Sequence, residues 1–322
     1  MSKYNQITKD ERYQIWLDLK AGFSISQIAE DLGRSKSSIY RELERNTGQR
    51  GYQPKQANNN AKQRKSSALK AIKMTAALKQ LIEEKLRLDW SPEQISGWLR
   101  NEKEILISHE RIYQHVWEDK RNGGELYKHL RCQGKKYNKR RYGKSSRGQI
   151  KNQVSIDDRP KIVDNKQRVG DWEIDTVIGK NHQGAIVTIV ERKTLFTVAA
   201  LVENKQADAV TDATIQLLTP LKALVYTITA DNGKEFAYHE KLAEQLGTKF
   251  YFAHPYSSWE RGLNENTNGL LRQYFPKDTD FHTLSQSDVD IAVERINNRP
   301  HKTLGFKTAT QMMDKSLYRI TA

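Results

Sequence analysis

Residues 223–236 read ALVYTITADNGKEF. The first eight residues are mostly apolar and rich in β-branched and aromatic side chains, which predicts a buried β-strand. The Asn-Gly pair that follows predicts a turn. Asp231 stands between the strand and the turn. The sequence therefore predicts that the carboxylate of Asp231 is held at the end of a buried strand.

Two further acids indicate that Asp231 belongs to a group of metal-binding carboxylates. Asp175 lies near the middle of a second predicted strand, GDWEIDTVIG (residues 170–179), and Glu265 lies in the first turns of a helix predicted after SSWERGLNEN (residues 257–266). Convergent carboxylates suit Mg²⁺, which takes oxygen ligands and keeps open positions for water and phosphate. Two such ions about 3.5–4 Å apart can hold the attacking and the leaving oxygen of a displacement at phosphorus.

Each of these acids has an acidic neighbour, so the residues alone leave the ligand set open. The neighbours are Asp171 and Glu173, which share a strand face with Asp175 at period two, Glu235 near Asp231, and Glu260 before Glu265. The interval of 33 residues between Asp231 and Glu265 is by itself uninformative. A structural ion pair is the alternative to a metal site, because buried carboxylates require a cation.

Three motifs carry a family resemblance: GDWEIDTVIGK (residues 170–180), TADNGKEF (229–236) and HPYSSWERGLNENTNGLLRQYFPKDTDF (254–281). They resemble the DDE catalytic core of bacterial insertion-sequence transposases, specifically the insertion sequence thirty (IS-thirty) family. The resemblance extends from about Asp10 to Met313. It implies a core of the retroviral integrase and ribonuclease H type.

The same resemblance implies a site and an activity. It selects Asp175, Asp231 and Glu265 as the catalytic acids and as the ligands of two Mg²⁺ ions, for which Mn²⁺ can substitute. It implies that the protein binds the terminal inverted repeats of its element, nicks the DNA at the ends and joins the freed 3′-hydroxyl to target DNA. Since two ends must be brought together, a homodimer or larger assembly is expected.

The charge of the chain is unevenly distributed. The 322 residues carry a formal net charge of +15, and all of the excess lies in residues 1–160, with 34 Lys and Arg against 19 Asp and Glu, whereas residues 161–322 have 20 of each. This asymmetry predicts a polyanionic partner, double-stranded DNA, for the first half. A single cysteine, Cys132, excludes an internal disulfide. With no apolar run of about 20 residues, we expect a cytoplasmic protein that associates with the nucleoid through DNA.

Residues 1–50 predict an all-α helix-turn-helix domain. Thr8 and Glu11 form a capping box before the first helix, Gly22 ends it, a second helix runs to Gly33, and a third begins after Ser35. The third helix is the candidate for the major groove. The candidate DNA contacts are Arg34, Lys36, Ser37 and Arg41. The alternative is an ordinary three-helix bundle with a solvated polar face.

Residues 51–160 predict a second helical block between two linkers. Residues 51–75 are predicted as a linker or basic arm, residues 76–120 as a second block of the helix-turn-helix type, and residues 121–160 as a basic linker. The block has a plain helical spacer as its alternative. The candidate DNA contacts here are Arg111, Lys135, Lys136, Lys139, Arg140 and Arg141.

Residues 161–322 predict an α/β catalytic core with a mixed five-stranded sheet and a C-terminal helical tail. The predicted strands are 172–178, 185–190, 196–202, 224–229 and 249–253, and the predicted helices are 207–218, 236–246, 264–274 and 286–297. Arg272 follows Glu265 by seven residues, which returns it to the same helix face. From this spacing we expect Arg272 to make either a DNA phosphate contact or a surface salt bridge.

Two rival functions come from other classes. One is a non-catalytic DNA-binding regulator, against which the presence of all three acids argues. The other is a nuclease of the ribonuclease H type, which does not explain two helix-turn-helix blocks. The predicted protein is thus a multidomain DNA strand transferase.

Overall fold

The computed structural model describes residues 6–67, 74–131, 150–255 and 257–321. The chain divides into two compact units, residues 1–73 and residues 74–322. The predicted contacts Lys135, Lys136, Lys139, Arg140 and Arg141 lie outside the described residues. Among the described helices, none has the length and apolar character of a membrane span.

The first unit is built from four helices and a two-stranded ribbon. Thr8 and Glu11 form the predicted capping box, and the side chains of Ser24 and Ser35 accept hydrogen bonds from the first turns of the next two helices. Gly33, at φ +59°, makes the turn between the second and the third helix. The elements are α1 (Lys9–Lys20), α2 (Ile25–Asp31), α3 (Lys36–Asn46), β1 (Thr47–Gly48), β2 (Gly51–Tyr52) and α4 (Pro54–Ser67).

The prediction of a linker over residues 51–75 is wrong for the part that forms α4. This helix packs against α1 and α3, and Ala57 is fully buried in the core of the unit. Two hydrogen bonds fasten it, from Arg12 Nη1 to Asn58 Oδ1 (3.4 Å) and from Arg64 Nη2 to Asn46 Oδ1 (2.9 Å). Polar contacts and one small apolar residue hold this helix, so its sequence lacks the apolar pattern of a packed helix and predicts a linker or basic arm.

A buried ion pair lies at the centre of this unit. Arg12 Nε is 2.7 Å from Glu42 Oε1, and both side chains are less than a tenth exposed. The hydroxyl of Tyr52 donates to the same oxygen (3.2 Å), and its burial beside this carboxylate raises the Tyr52 pKa. Glu42 thus connects α1, α3 and the end of β2.

We expect Arg12→Met to lower the free energy of unfolding of this unit by about 3 kcal/mol, since it leaves the Glu42 charge buried and unpaired. The double variant Arg12→Met/Glu42→Gln should lose less than the single one, because it removes both charges and keeps an acceptor for Tyr52. Urea unfolding of a 1–73 fragment, followed by the fluorescence of Trp16, measures both. A double variant less stable than the single variant would contradict the assignment.

The second unit begins with three helices around their own apolar cluster: α5 (Ala76–Arg87), α6 (Pro92–Lys103) and α7 (His109–Arg121). Leu126 and Leu130, after α7, are buried in the same cluster. Phe252 N–H donates to the carbonyl of Val154 (2.9 Å), so the chain near residue 154 runs along the edge of the sheet. The prediction of a linker over residues 121–160 is therefore wrong at both of its ends, where apolar side chains reach the two cores.

The predicted five-stranded mixed sheet is confirmed. Its order is β5-β4-β3-β6-β7, with β3, β4 and β5 antiparallel and β6 and β7 added parallel to β3. The strands are β3 (Asp171–Ile178), β4 (Ala185–Glu191), β5 (Thr197–Val202), β6 (Thr227–Ala230) and β7 (Lys249–Phe252). Strand β6 is shorter than predicted because residues 219–224 form a 3₁₀ turn, and it ends directly before Asp231.

Helices cover both faces of the sheet. Trp172 and Ile174 belong to the core on one face, whereas Val177 belongs to the core on the other, as the strand period requires. The helices of this region are α8 (Lys161–Asp164), α9 (Ala207–Leu218), α10 (His239–Leu246), α11 (Gly262–Tyr274), α12 (Gln286–Asn297) and α13 (Ala309–Thr321), with a ribbon of β8 (Pro300–His301) and β9 (Lys307–Thr308). Helices α9, α10 and α13 share the core of Trp172, and α11 and α12 share that of Val177.

The three helices α5–α7 are attached to the sheet region. A Cβ placed at Gly97 in α6 would lie 2.1 Å from the ring of Phe306, so the glycine allows this ring to reach the helix backbone. Asp89 Oδ2 pairs with Arg295 Nη1 (3.4 Å). The second helical block therefore belongs to the unit of the sheet, which the predicted separation by a linker did not anticipate.

Candidate active site

The three acids of β3 lie on the face that α11 covers, and each pairs with an arginine. Arg168 donates to both oxygens of Asp171 (2.9 and 3.0 Å). Glu173 pairs with the buried Arg192 and accepts the backbone N–H of Asn264 (3.3 Å), which ties the start of α11 to the strand. These contacts tie Asp171 and Glu173 to neighbouring elements of the fold, whereas Asp175 shares its arginine with Asp231.

Asp175 and Asp231 meet at one cation. Arg261 Nη1 is 3.5 Å from Asp175 Oδ2, and Arg261 Nη2 is 3.4 Å from Asp231 Oδ2. The two carboxylates are about a quarter exposed, 22% and 27%. Burial raises the pKa of Asp175; the Arg261 charge opposes this shift and the Asp231 charge adds to it. The predicted convergence of these two strand acids is thus present in the structure.

Backbone groups orient both carboxylates in the same way. The N–H of Thr176 donates to Asp175 Oδ1 (2.8 Å), and the N–H of Gly233 donates to Asp231 Oδ1 (2.9 Å). The Oδ2 atoms face Arg261. Each aspartate therefore presents one oxygen to the shared space while its other oxygen is held by the chain.

Asn268 is a site residue that the sequence did not reveal. Its Nδ2 donates to Asp175 Oδ2 (3.0 Å), and its Oδ1 accepts the hydroxyl of Thr188 on β4 (2.9 Å). The residue fixes α11 over the strand acids. The available signal was the pair Asn264 and Asn268, four apart on a predicted helix, because asparagine is unfavourable in helix interiors.

Glu265 lies on α11 between the two residues that reach Asp175. It precedes Asn268 by three positions, so the two side chains leave α11 on the same side. Its side chain is exposed. Within the four described stretches, no three of the His, Cys, Asp and Glu side chains form a ready metal-binding group. The structure thus brings Asp175 and Asp231 together and places Glu265 on α11, the helix from which Asn268 reaches Asp175.

The acidic neighbours of Asp231 and Glu265 have other partners. Glu235 is buried, pairs with Lys205 Nζ (2.7 Å) and accepts the hydroxyl of Thr176 (3.1 Å). Glu260 accepts from the backbone N–H and from Nδ1 of His254, both at 2.8 Å, and these contacts raise the pKa of His254. Glu260 therefore fixes the turn before α11 instead of facing the aspartates.

Arg272 has a structural position in the fold. Its Nη2 donates to the carbonyl of Ile178 (2.6 Å), and its Nη1 donates to the carbonyls of Phe275 and Pro276 (3.3 and 3.4 Å). Burial lowers its pKa. The Arg272 side chain thus binds the end of β3. This contact is neither the predicted DNA phosphate contact nor the predicted surface salt bridge.

The predicted DNA contacts of the first unit mostly share an exposed face of α3. Lys36, Ser37 and Arg41 are exposed there, together with Tyr40 (59% exposed). Arg34 instead pairs with Glu11 (2.8 Å) and joins the start of α3 to α1. In the second unit Arg111 lies on the exposed face of α7, where it donates to Gln114 (3.2 Å). The surfaces of α3 and α7 thus each present exposed basic and polar side chains.

The residues around the two aspartates fit a divalent cation. Carboxylate oxygens are the ligands that Mg²⁺ prefers, and a positive group already lies between them. On the same side of the fold, both amide atoms of Asn264 and two nitrogens of Arg261 are buried without a hydrogen-bond partner among the described residues. Asp175 and Asp231 would hold the ion, and Glu265 is the acid that α11 carries.

Comparison with family models agrees with this fold. A family model described as a helix-turn-helix domain matches residues 3–46, and one described as an integrase core domain matches residues 165–258, which include Asp175 and Asp231. Among solved structures, the catalytic core domain of BIV integrase aligns with 48% of this chain and 100% of that chain, at 20% identity and a TM-score of 0.39. The fold and the two matched models define a protein that combines a helix-turn-helix DNA-binding domain with an integrase core.

The similar curated proteins identify the family. The transposase for insertion sequence element IS4351 of Bacteroides fragilis is 46% identical, over 97% of this chain and 95% of that protein. The transposase InsI for insertion sequence element IS30A of Escherichia coli (strain K12) is 38% identical, over 97% of this chain and 84% of that protein. The chain belongs to the IS30 family of insertion-sequence transposases, which confirms the resemblance seen in its motifs.

Proposed function

We propose that this transposase binds the terminal inverted repeats of its own element and carries out DNA cleavage and strand transfer with a divalent cation held by Asp175, Asp231 and Glu265. The observation that carries the proposal is the meeting of Asp175 and Asp231 at one positive group, 3.5 and 3.4 Å away. A regulator without catalysis would not require two partly buried acids held by backbone N–H groups around a shared space.

The residues of the chain prepare this site. Thr176 and Gly233 orient the two aspartates through their backbone N–H groups, and Asn268 holds Asp175 from the opposite side. Glu173 positions the first turn of α11, which carries Glu265. When bound, Mg²⁺ supplies Lewis-acid stabilisation of the phosphate oxygens and lowers the pKa of the attacking water.

An end-cleavage assay tests the proposal. The substrate is a duplex oligonucleotide that carries the inverted repeat found beside the gene, and the product is a nicked strand with a free 3′-hydroxyl. We expect cleavage with Mg²⁺ or Mn²⁺ and none with EDTA, followed by joining to a second duplex. Sequence-specific binding without any cleavage in either metal would support the regulator instead.

We also propose that α3 reads the inverted repeat. Arg41→Ala and Lys36→Ala should each weaken binding to the repeat by about 1–3 kcal/mol where the side chain contacts a base edge. Titration of labelled duplexes with single base-pair changes measures this, with Lys9→Ala as a control for an exposed lysine of the same unit on α1. An equal loss on all duplexes would assign these residues to phosphates, and no loss would reject α3 as the recognition helix.

A further inference from the structure

Arg261 lies between the two aspartates of the proposed metal site. Its guanidinium contacts the Oδ2 atom of each, and among the described residues no other cationic side chain pairs with either carboxylate. The Oδ1 atoms are occupied by the N–H groups of Thr176 and Gly233. The two Oδ2 atoms face Arg261, and that of Asp175 also accepts Asn268 Nδ2 (3.0 Å), so the space that Arg261 fills between them is the space that a metal ion would take.

The contacts of Arg261 are loose for a buried arginine. Distances of 3.4 and 3.5 Å exceed the roughly 2.7–2.9 Å of charge-assisted hydrogen bonds. The side chain is only 12% exposed, and its Nε and Nη1 are buried without a hydrogen-bond partner among the described residues. Charge attraction holds the guanidinium in place, but its N–H groups without hydrogen-bond partners make this placement less stable.

The backbone at Arg261 is a junction between two elements. The residue ends a 3₁₀ turn (Ser258–Arg261), has φ −127° and ψ 38°, and precedes Gly262, the first residue of α11. A Cβ at Gly262 would meet nothing within 4 Å, so the backbone there borders open space. Trp259, two residues before Arg261, is 75% exposed. The turn that carries Arg261 thus lies at the surface on the side of Gly262 and Trp259.

We infer that Arg261 is an internal counter-ion that keeps Asp175 and Asp231 in position before the divalent cation arrives and is displaced when that cation binds. The inference rests on the proposed function, since it takes the two aspartates as metal ligands. A guanidinium and a divalent cation cannot occupy the same space between two Oδ2 atoms. Without the Arg261 charge, the repulsion between two carboxylates this close together would destabilise their arrangement as metal ligands.

Competition between the two cations is measurable without DNA and without turnover. Titration of the full chain with Mn²⁺ at pH 8 gives the Kd. Arg261→Met should bind Mn²⁺ about tenfold more tightly than the natural chain, because no ion pair must be broken first. Arg261→Gln, a polar neutral variant, should shift the affinity in the same direction. In thermal unfolding, added Mg²⁺ should raise the Tm of either variant more than that of the natural chain.

Two controls separate the inference from the proposed function. Lys234→Met removes an exposed positive charge three residues after Asp231 and should change the Kd by less than about twofold in 0.15 M salt. Asp231→Asn should abolish tight Mn²⁺ binding. If Asp231→Asn binds Mn²⁺ like the natural chain, the metal-site assignment fails and the inference fails with it. If Asp231→Asn loses Mn²⁺ but Arg261→Met and Arg261→Gln bind it no more tightly than the natural chain, the counter-ion inference alone is overturned.

Discussion

Asp175→Asn and Asp231→Asn are each expected to lower the rate of DNA nicking and joining by at least about a thousandfold, which corresponds to about 4 kcal/mol of transition-state stabilisation. The amide keeps the shape of the side chain and removes the charge that binds Mg²⁺. Because both residues belong to the second unit and α3 belongs to the first, binding to the inverted repeat should remain. We expect the same result for Glu265→Gln.

The matched control for the third acid is Glu260→Gln. Glu260 precedes Glu265 by five residues, but its carboxylate accepts from His254, so the variant should keep much of the activity. Cleavage of an end-bearing oligonucleotide and binding to the same oligonucleotide are measured side by side for all four variants. An inactive Glu260→Gln with an active Glu265→Gln would show that the third ligand has been misassigned.

Removal of residues 1–73 should weaken binding to the inverted repeat by at least about a thousandfold, the usual gap between specific and non-specific binding. The first unit carries 15 Lys and Arg against 7 Asp and Glu, and α3 exposes its basic residues. The remaining chain, residues 74–322, has its own cores and should fold. Its residual binding should fall steeply with salt and show little preference for sequence.

The isolated first unit is the reciprocal test. A fragment of residues 1–73 should bind the repeat specifically and should not cut it, because it lacks Asp175 and Asp231. Gel-shift titrations at two salt concentrations, with repeat and scrambled duplexes, measure the specificity ratio of both fragments. Equal specificity in residues 74–322 alone would contradict the assignment of recognition to the first unit.

The sequence revealed the strand acids because their signals are local. An apolar β-branched run that stops at Asn-Gly requires only neighbouring residues, and it placed Asp231 correctly at the end of β6. Period-two alternation likewise placed Asp175 on the face opposite the Trp172 core. The five strands followed from the same kind of pattern.

The contacts that distinguish functional from structural charges are not local, and the sequence did not reveal them. Arg261 contacts Asp175 and Asp231, which precede it by 86 and 30 residues in the sequence. Arg272 donates instead to the carbonyl of Ile178. Helix α4 was missed for a related reason. Its contacts are polar and reach α1 and α3, so no apolar period marks it.

Crystals of the protein soaked in Mn²⁺ test the central claim most directly, because the anomalous signal locates the ion independently of activity. The account predicts an Mn²⁺ peak in contact with the Oδ2 atoms of Asp175 and Asp231, within reach of Glu265, and with the Arg261 guanidinium moved out of the space between them. The peak should be absent in Asp231→Asn. An Mn²⁺ ion bound at Glu260 or Glu235 instead, or a peak unchanged in Asp231→Asn, would contradict it.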